Sequence, residues 1–196
     1  MNIYFLRHGQ TEENSKRTYY GSLDVELNEK GIAQAEKAGE MFKKVEFGKV
    51  FISEKMRTFQ TAQIALKDRE AQLIKDKRIN EIDFGIFEGK TYEELCKLYP
   101  EEVKRWQEKW EQFCPNQGES YKLFYKRVKE FIEDIKELEE ENILIVTHGG
   151  VIRAVYSYIL NENLSFYWKF SSRNGDISLI KYEYGNFFID SIVHVD

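Results

Sequence analysis

Short apolar runs alternate with longer stretches of helical periodicity along much of this chain. Ile3-Tyr4-Phe5-Leu6 is β-branched and aromatic and of strand length, so it predicts a buried strand. A long loop follows, and then Ile32, Ala35, Ala38 and Phe42 recur at helical spacing. Val50-Phe51-Ile52 predicts a second strand, with Ser53 as the expected N-cap of a helix through Met56, Phe59 and Ala62. Residues 143–146 predict a third strand. Thr147-His148-Gly149-Gly150 follows it, and then a helix through Val151, Val155 and Ile159. Strand, loop and helix repeated three times predict parallel strands covered on both faces. The expected fold is α/β: a three-layer sandwich with a mostly parallel central sheet flanked by helices.

Residues 91–140 break this rhythm. Tyr92, Leu95 and Leu98, then Trp106, Trp110 and Phe113, then Phe124, Val128, Phe131 and Ile135 predict helices, punctuated by Pro100 and Pro115. They read as a helical insertion over the strand-end edge of a single domain spanning 1–196. Alternation from Ile177 to Tyr182, a Gly185-Asn186 turn and residues 187–195 predict a C-terminal hairpin.

Composition narrows the class. The 196 residues are 42% hydrophobic, 15% aromatic and 32% charged, as expected of a soluble globular protein. A net charge of −5 argues against a dedicated nucleic-acid binder. No run has the length of a membrane span. The chain opens directly on a strand rather than on a basic and apolar leader. Cys96 and Cys114 fit neither zinc nor redox spacing and are expected to pack. A reduced, cytoplasmic setting is the expectation, with oligomeric state left open.

The chemistry is expected where the strands end, because open α/β sheets bind ligands beyond the carboxyl ends of their strands. That rule brings Arg7-His8-Gly9, the 53–57 segment and His148 to one edge. Two guanidiniums with one or two imidazoles suit a phosphoryl group better than a carboxylate or carbonyl. Asn14 can donate from its amide without adding charge. Gly149 and Gly150 can offer backbone N–H groups at a helix N-terminus. A proton donor is still needed, and Glu81, Asp83 and Glu88 lie together in a glycine-containing loop. No cluster has metal-ligand spacing and no Walker loop appears, so neither metal nor cofactor is implied.

These segments together resemble a histidine phosphatase of the phosphoglycerate-mutase-like superfamily. Residues 7–14 resemble its signature loop. Gly21, Asp24 and 27–31 resemble the segment after it, 53–62 the second arginine motif, 80–89 the acid loop and 147–153 the second-histidine motif. The order is the family's, over residues 1 to about 160. The resemblance implies that His8 is the phosphorylated nucleophile and Glu81 the proton donor. It implies that Arg7, Arg57, His148 and Asn14 form the phosphate pocket. Arg17 is a substrate-contact candidate set against a solvated arginine. Arg153 reads as a helix-surface residue or as one supporting the site from behind, and His194 as unrelated to the site.

The implied activity is a metal-independent phosphomonoesterase acting on a small phosphorylated metabolite. Within the family, the nearest resemblance is to the α-ribazole-phosphate phosphatases of cobalamin assembly. It rests on 81–89, Trp110, 118–120 and 149–153, and the aromatic insertion suits a flat base. The alternatives are a broad small-molecule phosphatase, a phosphoglycerate mutase and a non-catalytic phosphate-binding module.

Overall fold

A computed structural model describes residues 1–67 and 69–195. Six strands form one sheet: β1 (Asn2–Arg7), β2 (Lys49–Ile52), β3 (Leu73–Lys75), β4 (Asn142–Thr147), β5 (Ile177–Glu183) and β6 (Asn186–Val193). Their order is β3-β2-β4-β1-β5-β6. The first four in that order pair in parallel, and β5 and β6 add antiparallel at one edge. The mostly parallel sheet predicted from the sequence is present, and β3 joins it from a run too short to stand out.

Side-chain alternation along each strand sorts the core into two faces. Ile3, Phe5, Ile143 and Ile145 pack with α6 (Tyr121–Ile135) and α7 (Gly149–Ile159), through Phe124, Val128, Phe131, Ile132 and Val155. Leu6, Leu144 and Val146 point the other way. They pack with Ala38 and Phe42 of α2 (Glu29–Phe42) and Ala62 and Ala65 of α3 (Met56–Ala65). Fully burying each large apolar side chain contributes about 1.5–3 kcal/mol. This double burial is what fixes the strand register, and with it the positions of the strand ends.

Several expectations shift by a residue or an element. Ile32 is exposed, and the inward stripe of α2 is Gly31, Gln34, Ala35, Ala38 and Phe42. Gly31 faces inward because the backbone after β1 crosses there: a Cβ on either Gly9 or Gly31 would overlap the other strand of chain. Ser53 does not cap α3. Lys55 is its N-cap, without a side-chain bond. The 91–140 segment divides in two. Helices α4 (Tyr92–Leu98) and α5 (Pro100–Glu108) pack in a small separate cluster with Phe87 and Phe113. Helix α6 belongs to the sheet's own covering layer, because its stripe of Phe124, Val128, Phe131 and Ile135 meets the strands. Cys96 and Cys114 are exposed rather than packed. The C-terminal hairpin turns one residue earlier than expected, at Tyr184 and Gly185, both at positive φ.

Candidate active site

Parallel pairing places Arg7 of β1 opposite Thr147 of β4. His8 and His148 each follow by one residue, so both emerge at the same sheet edge. Their rings are 5.1 Å apart. Backbone bonds lock the strand end, with His8 N–H on Thr147 O at 2.9 Å and Gly9 N–H on Thr61 Oγ1 at 3.1 Å. β2 neighbours β4, and so the first turn of α3 delivers Arg57 to the same edge.

Hydrogen bonding fixes the state of each imidazole. His8 Nδ1 lies 2.7 Å from Gly9 O. A carbonyl only accepts, so Nδ1 carries the proton and Nε2 keeps its lone pair. Burial, and then the charges of Arg57 and Arg7, hold the His8 pKa well below its usual range. His8 is therefore neutral at physiological pH. His148 Nδ1 accepts from Arg57 Nε at 3.3 Å, and its Nε2 lies 2.8 Å from Ser53 Oγ. A guanidinium only donates, so the proton of His148 sits on Nε2. Burial and Arg57 again keep this ring neutral.

Arg57 is fully buried. Besides His148, it donates through Nη1 to Leu23 O at 2.8 Å and through Nη2 to Gly21 O at 2.9 Å. Three of the five hydrogens of a guanidinium are thereby taken, leaving two for an anion. Its cation lies 4.8 Å from the Tyr20 ring centre, whose hydroxyl bonds Thr11 Oγ1 at 2.7 Å. Arg7 donates through Nη1 to Ser172 O, while its buried Nε has no protein partner. Burial lowers both arginines from their ordinary value, without removing their charge. Asn14 Oδ1 accepts from Thr11 N–H at 3.2 Å and from Asn174 Nδ2 at 3.0 Å. That leaves the Asn14 amide nitrogen as its outward donor. Gly149 packs directly against the Arg7 guanidinium, where a Cβ would stand 3.2 Å from Cζ.

Glu81 lies in the loop that follows the turn at Lys77–Ile79. Its Oε2 accepts from Gly150 N–H at 3.0 Å and its Oε1 from Ile82 N–H at 3.1 Å. The Gly150 N–H therefore holds the carboxyl group rather than standing free for phosphate. A Cβ at Gly150 would overlap Glu81 Oε1 and lie 2.8 Å from the Tyr167 hydroxyl, so any larger residue must displace the carboxyl group. Arg127 steadies the same loop through the carbonyls of Arg78, Asn80 and Glu81. The neighbouring carboxylates are occupied elsewhere. Asp83 caps Gly85 N–H at 2.9 Å. Glu88 accepts from the backbone N–H groups of Gly21, Ser22, Leu23 and Phe84. Glu88 thus holds the loop whose carbonyls orient Arg57.

The structure brings Arg7, His8, Asn14, Arg57, Glu81, His148 and Gly149 together. Arg17 ends the short helix α1 (Glu12–Lys16) in a left-handed conformation and is exposed. His194 joins a separate pair, 2.9 Å from buried Asp176. Sequence reasoning placed Ser53 and Thr61 in the second arginine motif without a role of their own, and it missed Asn174. The motif did not say that the Ser53 hydroxyl meets the His148 ring or that Thr61 accepts from Gly9 N–H. Asn174 donates to His8 O at 3.1 Å from 166 positions away, a contact that only the fold creates. Among the described residues no group of three or more His, Cys, Asp or Glu side chains could hold a metal ion. No helix among them is long and apolar enough to cross a membrane.

A family model, that of the histidine phosphatase superfamily (branch 1), matches residues 3–194. The chain belongs to this superfamily. Relatives of this histidine phosphatase hydrolyse phosphate monoesters. It is 32% identical to phosphoserine phosphatase 1 of Hydrogenobacter thermophilus, over 92% of this chain and 86% of that one. It is 30% identical to the adenosylcobalamin/α-ribazole phosphatase of Escherichia coli, over 92% and 89%. Its fold matches the crystal structure of the α-ribazole phosphatase of Shigella flexneri with a TM-score of 0.95 at 28% identity, covering 100% and 97% of the two chains.

Proposed function

We propose that this histidine phosphatase is a metal-independent phosphomonoesterase working through a phosphohistidine at His8. One observation carries the reading: a neutral imidazole, its Nδ1–H fixed by Gly9 O and its Nε2 free, lies within the fields of buried Arg57 and half-buried Arg7. The Nε2 lone pair attacks phosphorus in line with the ester oxygen. The P–O bond breaks as Glu81, in its acid form, protonates the leaving oxygen. Water then attacks phosphorus and gives its proton to the Glu81 carboxylate. The P–N bond breaks, and inorganic phosphate leaves. Arg7, Arg57 and the Asn14 amide compensate the charge on the equatorial oxygens in both steps.

For the substrate, the sequence expectation of α-ribazole 5′-phosphate draws support from the similarity to α-ribazole phosphatases. Its argument from aromatic rings narrows. Tyr19 and Trp106 pack into the cluster of Phe84, Phe87 and Phe113. The Tyr92 hydroxyl bonds Gln107. Trp110, Tyr121, Tyr167 and Trp168 remain as a second ring cluster beside Glu81. A phosphoserine-like substrate is the second reading, and one observation favours it: the guanidinium of Arg153 stands in that cluster with its buried Nε unbonded.

Quenching turnover in alkali with phosphoryl-labelled substrate tests the mechanism. Label is expected on the wild-type protein and none on His8→Asn, whose turnover falls on the order of 10⁴-fold or more. Retained turnover in that variant overturns the mechanism. Released inorganic phosphate, rather than an isomerised ester, separates a phosphatase from a mutase.

A further inference from the structure

Val193 of β6 pairs with Ile177 of β5, so the next positions across that antiparallel ladder are His194 and Asp176. Asp176 is 2% exposed, and its Oδ1 lies 2.9 Å from His194 Nδ1. A carboxylate only accepts, so the His194 ring donates from Nδ1. Asp176 Oδ2 accepts from Arg173 N–H at 2.6 Å, and Asp176 N–H donates to Arg173 O at 3.1 Å. The carboxylate therefore closes a turn over residues 173–176. Gly175 within that turn stands at positive φ, and a Cβ there would overlap the side chain of Val195, the residue after His194.

The closed turn grips the phosphoryl side of the site. Arg7 N–H donates to Asp176 O at 3.0 Å, and Gly175 N–H donates to Arg7 O at 3.1 Å. The Arg7 guanidinium donates through Nη1 to Ser172 O, just before the turn. Asn174 Nδ2 donates to His8 O at 3.1 Å and to Asn14 Oδ1 at 3.0 Å. The antiparallel ladder accounts for the backbone bonds alone. Where the Arg7 guanidinium and the Asn14 amide point depends on where the turn carries Ser172 O and Asn174. Without its donor at His194, Asp176 Oδ1 is buried and unsatisfied, which is costly. The carboxylate then recovers a donor by rotating, and rotation loosens the closure at Arg173 N–H.

We propose that His194 and Asp176 are positioning residues for phosphate binding: their hydrogen bond closes the 173–176 turn, and the turn aims the Arg7 guanidinium and the Asn14 amide at the phosphoryl oxygens. This rests on the phosphatase reading above. Both residues act without touching substrate. Glu81 lies outside their reach, because Gly150 and Ile82 hold its carboxyl group. Opening the turn therefore weakens phosphate binding through Arg7 and Asn14, by one factor for every leaving group.

Calorimetric titration with inorganic phosphate tests it. His194→Phe keeps a ring without the donor, and His194→Asn places an amide N–H where the Nδ1–H stands. His194→Phe is expected to weaken phosphate binding about 3- to 10-fold, and His194→Asn to stay within about twofold of the wild type. In His194→Phe, kcat/KM should fall by the same factor for p-nitrophenyl phosphate and for ethanolamine phosphate. On an Arg7→Gln background the same change should cost less in kcat/KM than it costs alone, because one of its two routes is gone. Unchanged phosphate affinity in His194→Phe overturns the proposal. So does a loss in His194→Asn as large as that in His194→Phe, or a loss that recurs in full after Arg7→Gln. Loss of the fold in both His194→Phe and His194→Ala overturns it as well, since that describes a residue the whole domain needs. Failure of the wild type to turn over any monoester, p-nitrophenyl phosphate included, removes the phosphatase reading instead, and the phosphate titrations still decide the role of the pair.

Discussion

The two halves of this site are built on opposite plans. On the phosphoryl side, His8, Arg57 and His148 are buried, and each has its orientation fixed by a named hydrogen bond. On the side of the proposed proton donor, the Tyr167 and Trp168 faces lie beside Arg153, whose buried Nε has no hydrogen-bond partner, and Trp168 is 51% exposed. The difference follows from what each half must do. Charge that develops on phosphorus is the same for every monoester, so rigid dipoles and cations can be set in advance. A leaving group varies between substrates. Recognising one requires protein groups that stay unpaired until it arrives.

Glu81 stands at the border, and replacing it breaks the comparison most sharply. Glu81→Gln keeps the shape and can still accept from one of the Gly150 and Ile82 N–H groups through its single amide oxygen, but it has no acidic proton to give. The rate for alkyl esters is expected to fall on the order of 10²–10⁴-fold. Aryl phosphates, whose leaving oxygen needs little protonation, should lose much less. Comparing kcat for a serine or ethanolamine phosphate with p-nitrophenyl phosphate measures the difference. Equal losses would mean that Glu81 does not protonate the leaving group.

A smaller effect should come from Gly150→Ala. The added methyl group overlaps Glu81 Oε1 and crowds the Tyr167 hydroxyl. The carboxyl group must move by something near an ångström, and misplacement of that size can cost about 10²-fold in rate. The loss should fall on kcat for alkyl esters, while phosphate affinity, measured by product inhibition, should hold because His8 and Arg57 are untouched. A variant with wild-type kcat would show that the acid tolerates a different seat.

The contrast also explains what the sequence could disclose. His8, Arg57 and His148 sit next to strand ends or on the first turn of the helix that follows. Topology alone carries such residues to one edge, so short local motifs sufficed to group them. Glu81 was separable from Asp83 and Glu88 only through resemblance, because all three are carboxylates in one loop. Their different tasks emerge only from which N–H groups each one meets. For Arg153 a surface and a supporting role stayed open, since helical spacing does not reveal that Tyr167 and Trp168 return from after α7 to lie beside it. Ser53 looked like a cap for α3. Its hydroxyl instead bonds Thr58 and the His148 ring, a partner 95 positions away. The segment 91–140 looked uniform because α6 shares the aromatic content of α4 and α5. Only long-range packing assigns α6 to the sheet.

The smallest effect belongs to the phosphoryl half alone and is read in stability rather than rate. Burial first, and then Arg57, lowers the pKa of both His8 and His148 in the folded chain. Unfolded, each imidazole titrates near its ordinary value of about 6.5. Above that pH both states hold neutral rings, and stability is at its plateau. As the pH falls below about 6.5, the unfolded chain takes up protons that the folded chain refuses, so stability declines with falling pH. The linkage gives about 1 kcal/mol lost per such histidine between pH 6.5 and 5.5, before most carboxylates titrate. Urea unfolding of the wild type at pH 7.5, 6.5 and 5.5 should show this fall. His8→Asn removes one of the two titrating rings, so its fall should be smaller than the wild type's by about that amount. An identical pH dependence would mean that the folded protein protonates His8 as readily as the unfolded chain does. The nucleophile would then lack the neutral lone pair on which the phosphoryl half depends.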